Sequence, residues 1–476
     1  MLSQFWGLRL AAMAAIAGLL GACRTFTPDG GMDTVAFVAG SGINKDVVKI
    51  ASAEEAIVAR SRVERLLARP LGADAAVQIA LLNNQGLQAA YNRLGIAEAL
   101  AVKASRPPGL GLSFSSVSTS IELDIERQVI ASLLSLLTMP ARTRIAGQQF
   151  AAAEFVAAQE TLRLAAETRR SYLKAVAAQE IAAALGEVKE SADAGVKLAA
   201  ALKETGAVNA LDLARRQAFA MEMEAELSAA RLKAAGAAER LTRLLGLWQA
   251  DLASYLPGAL PPLPGHLRSV GAIEQEALNR RIDIAVAKAE MQAMARSYGL
   301  TRKTHFLNVL DVAGISKTQK DQGEPKANGG GYDLALEVPL FDFGRADVRE
   351  AEQRYLEAAH LLGEKGINAA SEAREAYAAY RATYAIAKKY QGEVLPLQQT
   401  ISSETELQYN AMQVDAFALL EAARSRTRAR VTSIEAKRDF WLAAADLSVA
   451  VLGGESISSQ GSVLAAANDP AGGEAH

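Results

Sequence analysis

Apolar positions follow two rhythms along this chain, one helical and one strand-like, and the same succession of the two occurs twice. In the first half Val77, Leu81, Leu87, Tyr91 and Leu94 mark a stripe with a period of about 3.6 residues. That stripe predicts a helix from before Asp74 to about Ser105, stopped by Pro107 and Pro108. Residues 110–139 change character. Leu110, Leu112 and Phe114 alternate with small polar residues, a Ser- and Thr-rich stretch follows, and after Glu122, Asp124 and Glu126 an apolar run leads from Val129 to Leu137 and Pro140. Two strands around a polar tip fit this pattern, and so does a surface loop followed by a short helix over 130–137. From Ala141 to about Leu202 helix formers continue without a break, about 60 residues or about 90 Å of helix. Gly206, Ala207, Val208 and Asn209 interrupt it, and a second helix returns through Leu244.

The second half repeats the order. A helix is expected from about Val270 to Ser297, strands within 304–340, a long helix from Arg345, a turn around 409–415 and a final helix to Leu452. Its hairpin is the clearer one. Phe306, Val309, Val312 and Ile315 precede a polar tip at 317–328, and residues 332–338 alternate apolar with polar side chains, as a strand between lipid and a wet lumen should. Local sequence supports the duplication: Ala80–Ala90 resembles Ala277–Val286, and Leu211–Arg215 resembles Leu420–Arg424, which sets Asp212 against Glu421. A spacing of about 200 residues exceeds solenoid periods, so this is a duplicated domain. A hairpin in each copy supplies four strands, too few to close on themselves. Open edges in lipid leave unpaired backbone groups, so a membrane-spanning sheet of this kind must oligomerise.

Composition narrows the class. Half of the chain is hydrophobic but only 5% is aromatic, and much of the apolar content is alanine, which packs helices closely while burying little area. Long, thin bundles suit such a chain better than a thick core. A net charge of −2 gives no footprint for nucleic acid. After Leu20 no apolar run is long enough for a transmembrane helix, so any crossing must use strands. At the N-terminus, Arg9 precedes an apolar run from Leu10 to Leu20 that suits the core of a signal peptide. It ends in Leu20-Gly21-Ala22-Cys23, which resembles a bacterial lipobox. Cys23 is the single cysteine, so its thiol is available for acylation and no disulfide forms within one chain. An ordinary signal peptide with an incidental cysteine is the alternative. Arg24 follows, where retention at the inner membrane uses Asp.

The stretch Val338-Pro339-Leu340-Phe341-Asp342-Phe343-Gly344-Arg345 resembles the strand-to-helix signature of the TolC-like outer-membrane efflux proteins. Proline ends strand pairing, the aromatics suit a bilayer interface, and Gly344 permits the bend. The openings Leu81–Asn84 and Arg281–Ile284, and Tyr409 followed by Leu419–Ala422, are similar to the same family. The resemblance covers about residues 74–452. It departs at Ile282, where the family often has Pro, at Met139–Arg142, which lack the aromatics and Gly of the second junction, and near Met412, where the usual Gly is missing.

The resemblance implies a mainly α fold with a transmembrane β-barrel: a homotrimer with a twelve-stranded barrel continued by a periplasmic α-helical tunnel. It implies an outer-membrane channel of a tripartite efflux system, lipid-anchored through Cys23, a passive exit duct for small molecules or metal ions. Its partners would be a periplasmic adaptor and an inner-membrane transporter. Carried over by motif, the periplasmic gate consists of Phe417 and Glu421, with Tyr409 as a latch near the turn. Phe417 and Glu421 share a helix face; three copies would make an apolar constriction and a carboxylate ring that favours cations. Read plainly, Phe417 is a core residue and Glu421 pairs with Arg424. Asp212 reads more simply as one half of a surface pair with Arg215 or Arg216. The adaptor would meet the turns, at Gly206, Val208 and Asn209 and at Met412, Val414 and Asp415. Residues 68–71 and 97–99 resemble family members that accompany metal-export genes.

This reading divides the chain into a signal peptide (1–22), a lipidated tether (23–73), a first repeat (74–255, hairpin at about 110–139), a Pro-rich connector (256–266), a second repeat (267–452, hairpin at about 304–340) and a tail expected to be disordered (453–476). His266, His305, His360 and His476 have no ligand spacing, so no metal site or cofactor is expected. Gly109 and Gly111 lack the rest of a dinucleotide fingerprint and no nucleophile elbow occurs, so no enzyme is expected. A duct for protein secretion and a pore-less periplasmic coiled-coil scaffold remain as alternatives.

Overall fold

A computed structural model of the protein describes residues 25–119, 122–248, 255–267, 273–321 and 325–453. The signal peptide, Cys23 and residues 454–476 of the expected tail lie outside the described residues. The helices of eight or more residues are α1 (Ala53–Leu67), α2 (Ala73–Asn83), α3 (Gln85–Ala104), α4 (Leu133–Glu204), α5 (Ala210–Leu245), α6 (Ile273–Arg280), α7 (Ile282–Thr304), α8 (Arg345–Lys389), α9 (Leu395–Asn410) and α10 (Ala416–Leu452). The strands are β1 (Gly111–Ser118), β2 (Glu122–Ser132), β3 (Val309–Asp321) and β4 (Ala327–Glu337). The chain divides into two units. The first draws on residues up to 34, 91–157 and 283–366, and the second on residues 35–90, 158–282 and from 367 onward.

The first unit is built on one four-stranded antiparallel sheet in the order β1-β2-β3-β4. The two hairpins join through β2 and β3, where Val129 opposes Gly314 and Ala131 opposes Val312. Register sorts the side chains by face. Leu112 pairs with Val129, and Val312 with Leu334 and Leu310 with Leu336, so one face carries an apolar band. Towards the hairpin tips that face becomes mixed, with Arg127 and Lys320 beside Ile125 and Leu123. The opposite face carries Glu122, Asp124 and Glu126 on β2 and Asp311, Asp333 and Glu337 on β3 and β4. Lys317 lies among these carboxylates and pairs with Asp124 at 2.8 Å. The outer edges of β1 and β4 have no strand partner among the described residues. Elsewhere in this unit Thr27 donates through its amide and hydroxyl to Glu98, at 2.5 and 2.6 Å.

β2 passes straight into α4 at Leu133, not near Ala141 as the composition suggested. The apolar run 129–137 is therefore split, strand up to Ser132 and helix after it. Pro140 sits inside the helix, where it removes one backbone donor, and Arg142 donates to the Ser135 carbonyl in the turn so loosened (3.1 Å). The second hairpin enters its helix through a built bend. Phe343 and Gly344 both have positive φ, 52° and 68°. Asp342 accepts from the amides of Gly344 (2.9 Å) and Ala346 (3.2 Å), which holds its carboxyl below the usual range. A side chain at Gly344 would overlap the carbonyl of His305, whose Nδ1 meets the Phe343 carbonyl at 2.6 Å. Pro339 lies just past β4, and Phe341 is fully exposed.

The second unit is helical, with thin interfaces, as an alanine-rich chain dictates. Its largest described core gathers Ala277, Ala373, Tyr380, Ala436, Phe440 and Leu447, and Phe440 stacks against Tyr380 and lies against Trp441. The Pro-rich connector is fixed by donors from these aromatics, Tyr384 to the Pro264 carbonyl (2.9 Å) and Trp441 to that of Pro261 (3.1 Å). Residues 46–50 of the expected tether are docked here. Gln78 makes paired bonds with the Asp46 backbone and Gln88 bridges Val48 and Ile50, satisfying an extended chain that has no strand beside it. The two repeat openings do one job. Asn84 donates to the Leu244 carbonyl (3.0 Å) and Arg281 to that of Ala450 (3.3 Å), so each break between short helices caps the closing helix of its repeat.

Candidate functional site at the helical turns

The turns that join α4 to α5 and α9 to α10 belong to the second unit and share one design. Gly206, at φ 78°, sends its amide to Lys203 while Ala207 bonds back to Leu202, both at 3.0 Å. In the second copy Met412 stands at φ 58°, its amide on Tyr409 (3.0 Å) and that of Gln413 on Gln408 (2.9 Å). The missing glycine thus leaves the turn unchanged, with methionine taking the left-handed conformation. Val208 and Val414 are half-buried at equivalent places. Asn209 and Asp415 cap the following helices by accepting from Asp212 (2.8 Å) and Ala418 (3.0 Å). These caps align the copies: Asn209 matches Asp415, so Leu211 matches Phe417 and Arg215 matches Glu421. Asp212 therefore answers to Ala418. The alignment of Asp212 with Glu421 read from the sequence is three residues out of register, because a shared Leu-acid-x-Ala-Arg spelling outweighed the turn.

The gate candidates spread over α9 and α10. Tyr409 accepts a hydrogen bond from Arg216 Nη2 at 2.9 Å, and the guanidinium lies over its ring at 5.6 Å. Phe417 is not in a core: it is 53% exposed, with Arg215 over its ring at 5.6 Å. Arg215 also reaches Asp415 (3.5 Å) and Asp212 (3.8 Å). Glu421 is exposed and stands 3.8 Å from Arg424, whose better bond is to Glu222 on α5 at 2.9 Å. Arg424 also covers the Phe219 ring at 5.4 Å.

Three arginines, 215, 216 and 424, thus tie α5 to α9 and α10, and none was picked out from the sequence except as a neighbour of an acidic residue. Their partners lie far off in sequence, about 200 residues for Arg216 and Tyr409, Arg215 and Asp415, or Arg424 and Glu222. One signal was available: each arginine is three or four residues from an acidic residue already named, Asp212 or Glu421, on a helix beside the turns. Farther along the same helices Arg430 pairs with Glu187 at 2.7 Å and holds that carboxyl below its usual range by hydrogen bond and charge. Such a set of exposed rings, ion pairs and phenol-guanidinium contacts can hold two hairpins together and release them. It contains no nucleophile with an adjacent base, and no group of side chains suited to a metal ion occurs among the described residues.

Comparison with known proteins gives this geometry its context. Residues 273–454 match the family model described as outer membrane efflux protein. No curated protein matches the chain. Among solved structures, the outer-membrane channel OprN superposes with a TM-score of 0.70 at 18% identity, over 89% of this chain and 96% of that one. The CmeC outer membrane channel of Campylobacter jejuni gives 0.67 at 20% identity, over 80% and 86%. A membrane protein from Pseudomonas aeruginosa gives 0.68 at 20% identity, over 82% and 93%. No helix of the described residues is long and apolar enough to cross a membrane. Residues 273–454 are thus similar to the outer membrane efflux protein family, and the chain shares the fold of these solved outer-membrane channels.

Proposed function

We propose that this chain is the outer-membrane channel component of a tripartite efflux system, a passive exit duct for small molecules or metal ions across the periplasm and outer membrane. The carrying observation is the sheet of the first unit: one face apolar, the other lined with carboxylates, and both edges open. Three copies closing edge to edge, β1 on β4, would give a twelve-stranded barrel with its backbone satisfied. A pore-less scaffold has no use for such a sheet. The match to the outer membrane efflux protein family supports export over a structural role.

In this reading Cys23 carries the lipid that anchors the trimer, and no cofactor takes part. A periplasmic adaptor, linked to an inner-membrane transporter, docks on the turns at Gly206, Val208 and Asn209 and at Met412, Val414 and Asp415. Tyr409 is the latch, held by Arg216. Phe417 and Glu421 form the constriction. The test is single-channel conductance of the purified, lipidated trimer in planar bilayers, wild type against Phe417→Ala/Glu421→Ala. Discrete steps that grow in the double variant are expected. Steps of unchanged size would remove these residues from the gate, and no steps from a folded trimer would overturn the channel itself.

A further inference from the structure

Beyond the gate, the helices of the second unit enclose a crevice of about 350 Å³ between α4, α5, α9 and α10. Three arginines line it: Arg216 from α5, and Arg426 and Arg430 from α10. Glu187 is the one carboxylate among its described lining residues, and Arg430 already engages it at 2.7 Å. Arg426 makes no ion pair among the described residues. The crevice therefore holds a net positive charge, with the Ser402 hydroxyl at its wall as a further donor.

Arg216 supplies the specific chemistry. A guanidinium binds an oxyanion best side-on, through Nε and the Nη on the same edge. Here Nη2 is spent on a neutral acceptor, the Tyr409 hydroxyl at 2.9 Å, while Nε is buried and has no hydrogen-bond partner. The fork is half used. An oxyanion would satisfy both N–H groups, and its charge-assisted bonds are roughly twice as strong as one to a neutral phenol. It would also relieve the orphaned Nε.

We propose that this crevice is a binding site for a small oxyanion, phosphate-like or carboxylate-like, which takes the Nε–Nη2 edge of Arg216 with help from Arg426 and, in doing so, displaces Tyr409. An anion would then compete with the latch: bound, it frees the end of α9, and absent, it leaves α9 tied to α5. The binding claim stands by itself; its effect on the channel rests on the function proposed above.

The test is isothermal titration of inorganic phosphate into the detergent-solubilised full chain, at constant ionic strength set with chloride. Wild type is expected to bind in the millimolar range or tighter. Arg426→Gln should weaken binding by about tenfold, the worth of one charged contact. Tyr409→Phe, which removes the competing acceptor, should tighten it by about fivefold. Both positions lie at the surface of the helices, and circular dichroism checks that each variant is folded. Absence of phosphate binding by wild type, or equal affinities in all three proteins, would overturn the site. The assay measures no current, so its outcome is separate from whether the chain conducts.

Discussion

At the scale of single residues, Asp342 shows how one short side chain sets a bend. Its two oxygens accept from Gly344 and Ala346, which places negative charge at the start of α8, where free amides and the helix dipole favour it. The same contacts hold Phe343 in a left-handed conformation that a bulky residue otherwise avoids. The backbone amides are the main reason that its carboxyl titrates below the usual range. A depressed native pKa means that the native state prefers the ionised form. The stabilisation is therefore present above the ordinary carboxylate pKa and disappears as pH falls through the native one. The expected outcome is a difference in thermal midpoint between wild type and Asp342→Asn at pH 7 that closes as the pH falls well below the ordinary carboxylate range. A difference that persists unchanged at low pH would show that shape, not charge, makes the bend.

At the scale of elements, the two turns are a matched pair that solves one problem with different residues. Gly206 adopts its positive φ freely, whereas Met412 adopts the same conformation against a steric cost of roughly 1–2 kcal/mol. Met412→Gly should stabilise the solubilised protein by up to about 1 kcal/mol and Gly206→Ala should destabilise it by about as much, read from denaturant unfolding followed by circular dichroism. Opposite signs are required; a loss from both would mean that Met412 contributes contacts that outweigh its strain. The elements also show what a sequence makes legible. Strand β4 declared itself because its register puts Tyr332, Leu334 and Leu336 on one face, so alternation survived in the letters. The boundary between β2 and α4 did not, because an apolar run from 129 to 137 satisfies a strand and a helix equally and no bend residue divides it. The N-terminal segment read as a tether because glutamines on α2 and α3, not a periodic pattern of its own, hold it in place. The turns were found from Gly206, Asn209 and Asp415, but the Arg216–Tyr409 bond was invisible, since nothing in either residue's neighbourhood names the other.

At the scale of the whole molecule, the sheet poses a question of orientation: which face meets lipid. Register makes the answer testable one residue at a time, because Leu334 and Ala335 are adjacent in sequence and opposite in direction. Leu334 lies across from Val312 in the apolar band, while Ala335 lies across from Asp311 and between Asp333 and Glu337. An arginine directed into hydrocarbon costs about 2–4 kcal/mol per site near the midplane, and a trimer would bear that cost three times. An arginine on the other face would meet water and carboxylates. Leu334→Arg should therefore abolish assembled trimer in outer-membrane fractions, while Ala335→Arg should assemble to the wild-type level, as read by the heat-sensitive shift of trimer to monomer on gels. The same charge is added in each case, so net charge and helix packing drop out of the comparison. The reverse result would turn the sheet inside out. Equal assembly of both would mean that neither face meets lipid, and the barrel, with the duct built on it, would have to be abandoned in favour of a scaffold.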